Sequence, residues 1–159
     1  MMTYIRLGNF FQLYSVSGER QINEGRYNNV TPGRRLSHDR LSYDYLSFIY
    51  QGAAKNRTGD NLEAQIVLSV NEISTGISRN AVNNRWHVRI YSAVMTPAGD
   101  VSKVLTTEDW IAASMTYDNQ TLEILLSSGI DAVGANAPTR VLTRNLVGSL
   151  PTTANIQTQ

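Results

Sequence analysis

An all-β fold follows from three features of the chain. Apolar residues recur mostly with period two, as in Leu62-Glu63-Ala64-Gln65-Ile66-Val67-Leu68-Ser69-Val70. Aromatic and β-branched runs are bounded by Gly, Pro, Asn and Asp. Between two extended segments, Asp118-Asn119 has the residue types of a two-residue hairpin turn. Together these predict one barrel- or sandwich-like domain of about seven to nine strands over residues 1–149, with one short helix. An extended C-terminal arm over residues 150–159 follows it.

The elements read in order. Phe11 to Val16 alternates and runs into a turn at Ser17-Gly18-Glu19. Residues 19–40 are polar and Arg-rich, with Pro32-Gly33 in the middle, and predict a long loop with at most one short strand. Tyr43 to Tyr50 is a dense aromatic and aliphatic run that reads as one buried strand. Leu62 to Val70 is half-buried by its alternation. Ile73, Ile77 and Val82 fall near helical spacing within 71–84, so a short helix is expected there, weakened by Gly76. Trp86 to Met95 is a strand, Thr96 to Asp100 a turn, and Val101 to Leu105 a short extended piece. Glu108-Asp109 reads as a turn before Trp110. Trp110 to Tyr117 and Gln120 to Leu126 form the hairpin. Residues 127–138 are irregular, and Val141 to Val147 is the last strand candidate. A faint echo links Leu62-Glu63 and Leu122-Glu123, each followed by an apolar strand ending near Ser.

Composition excludes several functions. The chain has 159 residues, 17% of them charged, and a net charge of +1, so nothing in the overall charge favours a polyanionic partner. The charge is uneven: residues 1–57 hold eight bases and four acids, residues 58–159 six bases and nine acids. Of 14 bases, 12 are Arg, whose planar fork suits interfaces. With no Cys, thiolate metal sites, disulfides and cysteine nucleophiles are excluded. No run reaches the ~18 apolar residues of a membrane span, and no membrane partner is expected. The N-terminus lacks the basic-then-apolar order of a signal peptide, so the Asn-x-Thr triplets at Asn29, Asn56 and Asn119 read as chance.

No catalytic residue, metal site or cofactor is expected. Ser37-His38-Asp39 has the residue types of a hydrolase triad, but neighbours in sequence cannot place an imidazole between nucleophile and acid. His87, between Trp86 and Val88 with Arg85 and Arg89 nearby, reads as structural or as part of an interface. The acids are scattered, without a metal-binding loop. Arg20, Arg26, Arg34, Arg35 and Arg40 interleave with Tyr27, Tyr43 and Tyr45. That mixture can grip phosphate and stack bases, yet matches no nucleic-acid module. It suits a protein–protein interface better, where Tyr and Arg are enriched.

Three stretches resemble a phage virion family, the minor tail proteins of the lambda L type. They are YDYLSFIYQGAAKNRTGDNLEAQIVLSVNEISTGI, RWHVRIYSAVM and DWIAASMTYDNQTLEILLSSGIDAVGANAPTRVL. The shared order is an aromatic strand, a Gly-containing loop, a strand running into a helical segment, and an Arg/aromatic strand. A Trp-led hairpin, a loop and Pro-x-Arg then follow. The likeness covers roughly the last 110 residues. Longer family members continue into a Cys-rich region with an iron–sulfur cluster. This chain has no Cys, so nothing that uses the cluster carries over.

The resemblance implies a structural protein of the virion, located at the tail tip or baseplate, and in the host cytoplasm before assembly. Its implied partners are further copies in a ring, a distal tail protein and a central hub or fibre. Another virion role (head–tail connector, tail terminator or capsid decoration) is the alternative, and a nucleic-acid-binding module a more remote one. Arg34, Arg35, Tyr43 and Tyr45 are the expected interface residues, with Leu150, Pro151 and Ile156 in the contact arm. Pro151 lacks the N–H that pairing within the domain would need.

Overall fold

The structure, a computed structural model, describes residues 5–52 and 63–129. It is mostly β, with a single helix among the described residues. The elements are β1 (Arg6–Ser17), β2 (Arg20–Asn28), β3 (Leu36–His38), β4 (Leu41–Tyr45), β5 (Phe48–Gln51), β6 (Glu63–Ser69), α1 (Glu72–Asn83), β7 (His87–Met95), β8 (Val101–Tyr117) and β9 (Thr121–Ser127). The strands form one open mixed sheet in the order β3-β4-β2-β1-β7-β8-β9-β6-β5. All pairings are antiparallel except β2 with β4, which meet only at Tyr27–Asp44 and Asn28–Tyr45. The sheet is therefore sandwich-like, and the closed barrel is set aside.

Alternation gives the sheet two apolar faces. On the inner face, Phe11 and Leu13 of β1, Val88 and Ile90 of β7, Trp110 and Ala112 of β8 and Leu122, Ile124 and Leu126 of β9 form one core with Ala64, Ile66 and Leu68 of β6. The sheet curls around this core. β1 and β5 are far apart in strand order, yet the Phe11 and Phe48 rings lie edge to face at 4.8 Å. Asn29 bridges the remaining gap: its amide donates to Phe48 O at 3.1 Å and its oxygen accepts from Asn9 N at 2.9 Å. α1 packs Ala81, Ile77 and Val82 onto the same core.

α1 starts at a capping box. The Asn71 side chain accepts from Ser74 N at 2.8 Å, and Ser74 Oγ accepts from Asn71 N at 3.0 Å. Gly76 faces open space, so it costs only backbone entropy, and the expected helix forms.

The outer face carries a smaller core of Phe10, Leu36, Tyr43, Ala93 and Met95. The β3–β4 hairpin lies over this face as a flap. Asn28 knits it down: its buried amide donates to Tyr43 O at 2.8 Å and its oxygen accepts from Val30 N at 3.1 Å.

Several expectations are corrected. Residues 19–40 do not form a long loop, because Arg20–Asn28 pairs along β1 and Leu36–His38 pairs with β4. The first half of β2 is exposed, so a strand forms there without an apolar period. The run from Tyr43 to Tyr50 is two strands, with Tyr43 in the outer core and Leu46 and Phe48 in the inner one. Glu108-Asp109 is not a turn. Both residues lie within β8, which joins the segments expected at 101–105 and 110–117.

The hairpin forms, but its turn sits one residue later. Tyr117 faces Leu122, and Asp118 N donates to Thr121 O at 2.9 Å. The Asp118 carboxylate accepts from Gln120 N and Thr121 N, both at 2.7 Å. These bonds hold its pKa below the usual carboxylate value. The two echoing segments prove to be adjacent strands, β6 and β9, with Ile66 opposite Ile124. The strand expected at 141–147 and the arm over 150–159, with Leu150, Pro151 and Ile156, lie outside the described residues.

The flap turns at Asp39 (φ 49°) and Arg40 (φ 63°), a two-residue loop with both residues left-handed. A left-handed side-chain residue costs about 1–2 kcal/mol, and glycine's extra entropy about 0.5–1. Arg40→Gly is therefore expected to raise stability by about 0.5–1 kcal/mol, read as a higher urea midpoint.

Candidate interaction surfaces

Arg34 follows the 30–33 turn and is pinned to the β7–β8 turn. Its guanidinium donates to Ala98 O and lies 3.1 Å from Asp100 Oδ1. Arg6 secures the same segment by donating to Val30 O at 2.7 Å. Arg35 pairs with Asp44 at 2.7 Å on the flap surface, with its side chain 76% exposed. An ion pair that exposed adds little stability. Both arginines therefore already have acidic partners within the chain.

Tyr43 is corrected. It is fully buried, with Phe10 edge-on to its ring at 4.9 Å. A residue so enclosed belongs to the core and cannot be a free contact. Tyr45 is half-buried and lines a shallow groove with Leu46, Ser47, Asn71, Glu72 and Ile73. Ile73 stands 65% exposed at the start of α1. Thus the structure separates the four described interface candidates. Arg34 and Arg35 are paired on the surface, Tyr43 is core, and Tyr45 borders an open groove.

The two histidines are embedded among aromatic rings. His38 lies 5.3 Å from the Phe10 ring, and its Nε2 is 3.4 Å from Asp39 Oδ2. His87 stacks on Tyr14, with ring centroids 5.0 Å apart and planes within 15°. Among the described residues no cluster of three or more His, Cys, Asp or Glu could hold a metal ion. No described helix is long and apolar enough to cross a membrane.

Sequence reasoning missed a group on the outer face. Arg89 Nε donates to Asp109 Oδ1 at 2.8 Å, and its guanidinium lies 5.2 Å from the Tyr14 ring centroid. Tyr14 OH donates to the same carboxylate oxygen at 3.2 Å. Burial first, then the Asp109 charge, raises the Tyr14 pKa. The hydrogen bond to Asp109 raises that of Arg89. The alternation Arg-Ile-Tyr at 89–91 is the only signal for this arrangement, since Asp109 reads as a turn residue without its strand partner.

On the inner face, Glu108 accepts from Tyr50 OH and, at 3.3 Å, from Trp110 Nε1. Burial, then the hydrogen bond to Glu108, raises the Tyr50 pKa far above its usual value. Burial, then Tyr91, pushes that of Tyr43 up to about 12.

These shifts predict alkaline sensitivity. An unfolded tyrosine loses its proton near pH 10, whereas the folded Tyr43 keeps it to about 12. Its neutral phenol contributes full stability below pH 10, and this contribution is lost as pH rises through that window. Urea midpoints should fall by the equivalent of about 2 kcal/mol there, and Tyr43→Phe should flatten that fall.

No family model matches the chain, and no curated protein matches it in sequence.

Proposed function

We propose that the protein is a structural subunit of a phage tail tip or baseplate. It joins copies of itself into a ring that links the distal tail to a central hub or fibre. The observation that carries this reading is the ordered likeness of the chain from Tyr43 onward to lambda L-type minor tail proteins. The curled, open sheet fits an assembling role. Among the described residues, β5 pairs with β6 on one side and with no strand on the other. Such an edge can accept a strand from a neighbour. The groove between Tyr45 and Ile73, close to β5, offers an apolar contact beside it.

Ile73→Glu tests this reading. The side chain is already exposed, so the change should alter stability by no more than about 0.5 kcal/mol. It should reduce incorporation into tail particles by about tenfold or more, measured by complementation and by protein content of purified virions. Normal incorporation would remove the groove from the interface.

A further inference from the structure

Strand register lines up Arg26 of β2, Gln12 of β1, Arg89 of β7 and Asp109 of β8 in one row across the outer face. Neighbouring strands lie about 4.8 Å apart, so the two arginine backbones are separated by roughly 10 Å with Gln12 between them. Their side chains are long enough to lean over Gln12. Both guanidinium charges also act on the phenol of Tyr43.

The two arginines are not equivalent. Arg89 has its carboxylate in Asp109. The Arg26 side chain has no ion pair or hydrogen bond among the described residues, and its Nε is enclosed without an acceptor. Buried donors are nearly always paired, so this guanidinium is an exception: nothing among the described residues neutralises it, and only its outer nitrogens can meet a partner. The residue as a whole is half-buried, which leaves the outer end of the fork accessible. Gln12 is buried between the two arginines, and the stacked Tyr14 and His87 rings flank the row.

We propose that this row is a docking site for a single carboxylate presented by a partner protein. Arg26 is its principal anchor, with Arg89 beside it. A planar guanidinium takes a carboxylate through two parallel N–H···O bonds. Charge decides between classes of partner. Asp109 is half-exposed at one end of the row, and Asp44 lies on the adjoining flap strand. A nucleic-acid backbone would bring successive phosphates against those acids, whereas one carboxylate meets only the arginine end. The aromatic-bordered face suits a protein surface, where Arg and Tyr serve as anchors. This site stands on the outer face and does not depend on the tail-tip reading.

The test follows the Nε–Hε resonances of Arg26 and Arg89 in the full chain by NMR. N-acetylglutamate methylamide is titrated at constant ionic strength, with sodium chloride and a thymidine oligonucleotide as separate arms. Saturable shifts at both arginines are expected with the blocked glutamate and not with chloride. Arg26→Gln should weaken binding by about tenfold as read at Arg89, while Arg35→Gln leaves it unchanged. Arg26→Lys, which keeps the charge and loses the fork, should fall between and replaces the Gln variant should that variant not fold. Absence of a saturable shift, or unchanged affinity in the Arg26 variants, would overturn the proposal. Shifts of the same resonances by lower concentrations of the oligonucleotide would overturn it in favour of nucleic acid.

Discussion

Phe11→Ala should lower the unfolding free energy by about 3–5 kcal/mol, the usual cost of removing a buried phenyl ring. Phe11 is 1% exposed in the centre of the inner core. It also contacts both sides of the curl: Phe48 of β5 at 4.8 Å and Tyr27 of β2 at 5.4 Å. Apart from the Asn29 bridge and the bond from Leu46 N, just before β5, to Asn28 O at 2.9 Å, no backbone ladder among the described residues joins β5 to the β1 side, so the cavity would open where little resists it. Urea denaturation should show a markedly lower midpoint. Ile22→Ala, at an exposed position on β2, should move it by no more than about 0.5 kcal/mol. A small effect at Phe11 would mean that the sheet does not close over this ring.

Tyr43→Ala should cost a similar amount, about 3–5 kcal/mol, and for a different reason. Its ring fills the space between the flap and the outer sheet face against Phe10. Otherwise the flap is held by the smaller Leu36, the His38–Phe10 ring contact, two residues of parallel pairing and the Asn28 bonds. Loss of the ring should therefore release β3 and β4 together and unpack Leu36. Tyr43→Phe keeps the ring contacts and should cost no more than about 1–2 kcal/mol at neutral pH. Hydrogen exchange of the Leu36–Tyr45 amides would report the release directly. A Tyr43→Ala protein of normal stability that fails only in assembly would restore Tyr43 to the interface.

Those two residues show what the sequence could and could not reveal. Alternation located β6, β7, β9 and the Trp-led half of β8, because each has one face on a core and its register repeats every two residues. The helix was legible from the spacing of Ile73, Ile77 and Val82, of which Ile77 and Val82 pack on the core and Ile73 is exposed, whereas its capping box emerged only in the fold. β2 was not, because Arg20, Gln21, Ile22, Asn23 and Glu24 are exposed and carry no apolar period. Its strand exists through ladder pairing to β1, a long-range interaction with no local mark. Glu108 and Asp109 looked like a break for the same reason. In the fold one meets Tyr50 and Trp110 on the inner face and the other meets Arg89 and Tyr14 on the outer.

The candidate sites followed the same rule. Arg34 and Arg35 looked like free cations until the fold supplied Asp100 and Asp44. Tyr43 looked like a surface aromatic because a flap over the outer face cannot be read from a run of tyrosines. Arg26 is the reverse case, one arginine among five in its segment, distinguished by an Nε that becomes enclosed without an acceptor once the strands are aligned.

What the proposed function asserts is the protein's place in a particle. Gold-labelled antibody against the chain, applied to purified virions and viewed by electron microscopy, tests that most directly. The account predicts label confined to the distal end of the tail. Label on the head or at the head–tail junction, or particles that lack the protein altogether, would contradict it.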